Sequence, residues 1–217
     1  MNFYILKETN YKTDKDFADT ECLRAGGMSS LGKGAPVCPQ CGKFVGGMIW
    51  IPPYKIELVM YTNQFGNVID KGEELVVDEY FKSCFEKTDL TGIEFLGEAE
   101  ITKFTCRWKA KKRQLGTPPQ YYVARIKYGC AAIDHNKSGS VFDDGCEPTC
   151  DYCRTGIIRR YPRIVIDEST WDGTDIFLAR GKGSTITTSQ RFKDWWDSCN
   201  FNNCKVVPSE EFRRDHG

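Results

Sequence analysis

The sequence predicts an α+β protein: mostly antiparallel sheets with few helices, in two pseudo-repeated lobes sharing one structural zinc site. Three observations carry that prediction. Cys38-Pro-Gln-Cys41 and Cys150-Asp-Tyr-Cys153 are Cys-x-x-Cys turns whose first cysteines lie 112 residues apart. A shift of 111 residues lays Phe81 on Phe192, Lys82 on Lys193, Leu90 on Phe201, Phe95 on Val206, Leu96 on Val207 and Glu100 on Glu211. The apolar segments are short and turn-bounded, with two stretches of helical spacing among them, as an antiparallel α+β fold requires.

Taken in order, residues 3–6 form a short apolar run that reads as the opening strand. Residues 7–36 read as irregular, punctuated by Gly26, Gly27, Gly32 and Gly34. The first cysteine turn follows, then a strand over 56–60 and a turn signal at Gly66-Asn67. Asp78 is the N-cap of a first helix reaching residue 87, with Tyr80, Phe81, Cys84 and Phe85 on one face. Strands are expected over 93–95, 98–108 and 121–128, with Pro118-Pro119 in the loop before the last. A loop rich in Gly, Ser and Asp, 134–145, leads to the second cysteine turn. Short strands are expected at 164–166, 176–178 and 185–187. Ser189 then caps a second helix carrying Phe192, Trp195 and Trp196, and a last strand covers 206–207. The division is a first lobe over 1–112 with the turn at 38–41 and a second over 113–217 with the turn at 150–153, with a single compact domain as the alternative.

The cysteine spacing carries the chemistry. A Cys-x-x-Cys turn directs two sulfurs at one point, and tetrahedral Zn²⁺ takes four. Cys38, Cys41, Cys150 and Cys153 are therefore the expected zinc ligands. Four protein ligands leave no open coordination position, so the zinc is expected to be structural. Gly42 after Cys41 lets the backbone amides turn toward the first sulfur, whereas Arg154 follows Cys153. Cys146, four residues before Cys150, is a competing ligand. The alternatives are a set of buried thiols or a redox pair. A redox pair needs a helix after the motif, and Lys43-Phe-Val-Gly-Gly47 is a poor helix start. Of the eleven cysteines, Cys22, Cys84, Cys106, Cys130 and Cys199 read as small hydrophobes.

Thirty basic and thirty acidic residues cancel, so no global field steers the chain to nucleic acid or a membrane surface. The first residues lack a long apolar core, and no stretch approaches a membrane span, so a cytoplasmic protein is expected. The basic run 103–113 offers a second reading, a zinc-ribbon module holding nucleic acid by phosphate contacts and stacking on Trp108. The plainer reading of that run is a strand with one solvated face. Asp134-x-Asn136-x-Ser138-Gly139 has the start of a calcium loop, but Gly145 stands where the loop's closing Glu belongs, so a plain turn is expected. The two histidines, His135 and His216, have no Ser or Cys partner in a catalytic setting, and no phosphate-cradling glycine loop is present. An enzyme is the weaker class.

Two Cys-x-x-Cys pairs about a hundred residues apart, the first followed by glycine, resemble the double-CXXCG motif family, first noted as paralogues in myxobacteria. The segment Asp175-Ile-Phe177 with Ile186-Thr-Thr-Ser189-Gln-Arg-Phe192 is similar to a stretch found in several immunity families of bacterial polymorphic toxins. The resemblance spans roughly residues 3–207, and Arg154 departs from it where the motif has glycine. It implies a non-catalytic immunity protein that binds and neutralises a cognate toxin encoded nearby. Acidic pairs Glu73-Glu74, Asp143-Asp144 and Asp167-Glu168 would then be candidate faces for a basic toxin.

Overall fold

The computed structural model describes residues 1–9, 20–25, 27, 35–107 and 110–215. In chain order the first half contains β1 (Tyr4–Glu8), β2 (Thr20–Arg24), β3 (Tyr54–Met60), β4 (Val68–Asp70), β5 (Glu74–Asp78), α1 (Glu79–Phe85), β6 (Ile93–Cys106) and β7 (Tyr121–Ile126). The second half contains β8 (Tyr128–Ile133), α2 (His135–Ser138), β9 (Val141–Phe142), β10 (Ile158–Tyr161), β11 (Ile166–Asp167), β12 (Ile176–Arg180), β13 (Ile186–Thr188), α3 (Gln190–Cys199), β14 (Cys204–Pro208) and β15 (Arg214–Asp215). The strands build two six-stranded sheets, β2-β3-β6-β7-β5-β4 and β11-β8-β12-β13-β1-β14, and a small β15-β10-β9 sheet. Among the described residues, only the β3–β6 and β8–β12 pairings are parallel. The α+β, mostly antiparallel expectation is met.

The repeat appears in the strand register. β7 lies between β5 and β6, antiparallel to both, with Tyr122 opposite Val77 and Ala124 opposite Phe95. In the other sheet β1 lies between β13 and β14, with Tyr4 opposite Thr188 and Leu6 opposite Val206. Val77 to Thr188 and Phe95 to Val206 are the same 111-residue step, so β1 holds in one sheet the place β7 holds in the other.

The local contacts repeat as well. The Asp78 carboxylate accepts from the Phe81 N–H, and Ser189 Oγ accepts from the Phe192 N–H, each satisfying an otherwise orphaned amide of the first helical turn. Lys82 pairs with Glu86, and Lys193 with Asp197. Lys82 Nζ sits 4.9 Å from the Tyr122 ring centre, and Lys193 Nζ 5.8 Å from that of Tyr4. The Asp78 amide donates to the Asn67 carbonyl and the Ser189 amide to that of Asp175, at 2.9 and 2.8 Å.

This exchange crosses residue 112, the expected boundary between the lobes. β1, from the first lobe, completes the sheet of the second, and β7, from beyond residue 112, completes the sheet of the first. Cutting there would strip each sheet of an inner strand and orphan two ladders of hydrogen bonds.

Both large sheets are covered on two faces, which is why β5 and β12 are buried at every position. Leu75, Val77, Leu6, Ile176 and Leu178 face a shared core between the sheets, where Phe81 of α1 and Phe192 and Trp196 of α3 also pack. Phe81 lies 5.0 Å from Phe201 and 5.5 Å from Trp195, ring centre to ring centre. Such pairs add about 0.5–1.5 kcal/mol each beyond burial. The alternate residues face outer clusters: Val76, Tyr121 and Val123 with Trp50 on one side, Ile5, Phe177 and Ala179 with Phe3 on the other.

Several elements differ from expectation. Residues 93–106 form one strand rather than two, bent at Gly97, where the register shifts. β2 forms inside the stretch read as irregular, and the strand expected to reach residue 128 breaks at Lys127 into β7 and β8. Gly26, Gly32, Gly34, Trp108, Lys109 and His216 lie outside the described residues. No helix among the described residues is long and apolar enough to cross a membrane.

Candidate metal centre

The two cysteine turns fold alike from different surroundings. In the first, the Cys38 amide donates to the Lys43 carbonyl at 2.8 Å and the Gly42 amide to the Cys38 carbonyl at 2.9 Å, with Val37 bridging to Phe44. In the second, between β9 and β10, the Arg154 amide donates to the Cys150 carbonyl at the same 2.9 Å. Gly42 and Arg154 both take left-handed backbone, at φ 71° and 50°. Glycine adopts that conformation freely, whereas a side chain costs about 1 kcal/mol or more.

Arg154 is held there by its contacts. Its guanidinium donates to the Ile133 carbonyl at 3.0 Å, the Asp167 carboxylate at 2.7 Å and the Asp151 carbonyl at 3.2 Å. His135 Nε2 lies 2.9 Å from the Arg154 carbonyl, and His135 Nδ1 lies 3.0 Å from Ser140 Oγ. Burial pushes the His135 imidazole below its usual range, favouring the neutral ring that this bracing role needs. Thus His135 fastens the second turn to α2. The loop 134–139 is a single helical turn, capped by Asp134 and closed by Gly139 at φ 64°, and so is the plain turn expected.

The turns meet. Cys38 Sγ lies 3.8 Å from Cys150 Sγ, Cys41 Sγ lies 3.8 Å from Cys153 Sγ, and all four sulfurs fall within 4.8 Å of one another. A regular tetrahedron with metal–sulfur bonds of about 2.3 Å has edges of about 3.8 Å, so the spacing suits one ion bound by four thiolates. Cys146 is outside this group. Its amide and carbonyl instead tie the turn to Asp143 and Ile157. Cys38 and Cys153 are buried, Cys150 is half-buried and Cys41 is exposed. Lys43 Nζ donates to Thr149 Oγ1 at 3.1 Å, joining the turns at the rim.

Ionisation is shared among the thiols. Burial opposes the Cys38 thiolate, but the Cys41 and Gln40 amides and the neighbouring thiols donate to it and together bring it down to about 7. The Lys43 amide favours a Cys41 thiolate, yet burial and the hydrogen bonds among the four sulfurs outweigh it and push Cys41 up to about 11. A divalent cation is what allows all four to ionise together.

A cation stands beside the cluster. Arg180 is 8% exposed, its Nε has no hydrogen-bond partner among the described residues, and its guanidinium lies 4.3 Å from the ring centre of Tyr152, which stands between Cys150 and Cys153 in the chain. An isolated buried charge is costly. A divalent ion with four thiolates carries a net −2, which offsets it, so this orphaned group fits a metal-loaded cluster. The β12–β13 turn seats both knuckles: a Cβ on Gly183 would meet the Val45 carbonyl at 2.6 Å, and one on Gly181 would meet His135 Nε2 at 2.9 Å.

Other sequence candidates fall elsewhere. Lys103 is paired with Glu57 at 3.2 Å on an inner strand, and Lys111 and Lys112 are exposed near a short turn. Glu74, expected on an exposed acidic face, is buried and lies 2.7 Å from Arg24. Asp167 is engaged by Ser169 and Arg154, which hold its carboxyl below the usual range. Asp143, Asp144 and Glu168 are exposed. Arg180 and His135 were not expected at the centre. The one signal was Arg154 itself, four residues after Cys150 as Gly42 is after Cys38. No protein-family model matches the chain, and no curated protein matches it.

Proposed function

We propose that this chain is a non-catalytic immunity protein of the cytoplasm, braced by a structural four-cysteine zinc site, that binds and neutralises a cognate toxin. The observation that carries the reading is the closed four-sulfur cluster drawn from both halves. A metal saturated by four thiolates has no position for substrate or activated water, so its service is to stiffen a surface. Zinc suits the set because soft thiolates in a tetrahedron favour it, and no second cysteine group competes among the described residues. Val37, Phe44, Met48 and Ile51, all exposed, follow one another through the first cysteine turn, and exposed apolar side chains held on a rigid frame suit a protein partner.

The test has two arms. Metal analysis of the purified chain should give one zinc per chain. Co-expression with the product of the adjacent reading frame should rescue growth and yield a stable complex. A harmless neighbour, or killing that continues unabated, overturns the immunity reading. Absence of zinc, with iron in its place, overturns the choice of metal.

A further inference from the structure

A cavity of about 400 Å³ opens where β7 passes into β8, beneath the segment that follows the first cysteine turn. Its walls are mainly apolar, from Met48, Ile93, Ile126 and Leu178, with charged groups among them. Most of those charges are already balanced. Glu74 lies 2.7 Å from Arg24, Glu94 lies 3.9 Å from Arg125, and Lys127 lies 3.7 Å from Asp172. Glu73 is the exception. Its Oε1 accepts from the Gly47 amide at 2.5 Å, and among the described residues it is in no ion pair. Tyr128 also contributes to the wall, and its ring packs against Cys38, Val45 and Cys153.

A carboxylate in no ion pair, at the wall of an apolar chamber, defines complementary chemistry: an aliphatic stem ending in a cation. Lysine and arginine have this form, burying their methylenes while the head finds a charge. The volume falls in the range of ligand-binding clefts and holds such a side chain whole. We infer that this cavity receives a lysine or arginine side chain of the protein partner, with Glu73 taking its charge. This rests on the binding role proposed above and gives that role an anchor point. Met48, exposed and lining the cavity, joins it to the apolar side chains of the first cysteine turn, so anchor and surface are continuous.

The experiment needs no toxin. The full metal-loaded chain is titrated with lysine amide and arginine amide, with norleucine amide as the uncharged control, following the Gly47 amide resonance by NMR. Saturable shifts in the millimolar range are expected for the two basic amides and not for the control. Glu73→Gln, which keeps an acceptor for Gly47, should weaken the basic amides roughly tenfold. Equal shifts with norleucine amide, no saturation with either basic amide, or unchanged affinity in Glu73→Gln would each overturn the inference. So would a co-purified toxin whose affinity is indifferent to Glu73→Gln. Failed rescue alongside saturable, Glu73-dependent binding would remove the immunity reading and leave a cation-binding cavity.

Discussion

Replacing Arg154 by glycine restores, in the second cysteine turn, the residue type that the first turn carries at Gly42. Two effects oppose each other. Glycine relieves the left-handed backbone at φ 50°, worth about 1 kcal/mol. It also removes the guanidinium from the Asp167 carboxylate and the Ile133 carbonyl. The Arg154–Asp167 pair is partly solvated, with side chains 27% and 24% exposed, so about 1 kcal/mol is assigned to it. The bond to the Ile133 carbonyl adds about 1 kcal/mol more. Arg154→Gly should therefore be destabilised by about 1 kcal/mol, and Arg154→Ala, which keeps the strain, by about 2. For a chain of this size those losses lower Tm by roughly 3 and 6 °C. Urea and thermal unfolding followed by tryptophan fluorescence, at fixed zinc, measure both. Asp167→Asn should cost less in the Arg154→Gly background than in the wild type, since Arg154 is gone and the amide oxygen can still accept from Ser169. The reasoning fails if glycine is more stable than wild type, or if alanine and glycine are equal.

Three further outcomes follow from the structure. Cys150→Ser should abolish stoichiometric zinc while Cys146→Ser keeps one ion per chain, measured by metal analysis after desalting; the reverse would exchange the ligands. Burial, reinforced by the nearby Asp70, raises the Glu8 carboxyl from 4.5 to about 7, so the native state holds that proton more tightly than the unfolded chain does. The stabilisation is complete below pH 4.5 and lost as pH rises through about 7. Glu8 alone should cost about 1 kcal/mol between pH 6 and 8, and denaturant melts of Glu8→Gln should lack that slope. Gly183→Ala forces a methyl against the Val45 carbonyl, so stability should fall by about 1–3 kcal/mol with zinc retained; an unchanged melt would mean that the first turn does not rest on the β12–β13 turn.

The sequence by itself determined what depends on near neighbours. Asp78 and Ser189 announce two helices because a short acceptor followed by an apolar face is a local signal, and both caps form. The four-cysteine cluster was legible because a Cys-x-x-Cys turn sets its own geometry, and two such turns can supply one tetrahedron. Tertiary structure alone decided the rest. The exchange of β1 and β7 joins strands far apart in the chain, and a ladder leaves no mark on local composition. β5 escaped notice because burial on both faces erases the alternation by which strands are read. Arg154 in a left-handed turn, Arg180 buried against the Tyr152 ring and Glu73 in no ion pair at its cavity are tolerated only through what surrounds them. Those surroundings come from distant segments, so their energies are set in space rather than along the sequence.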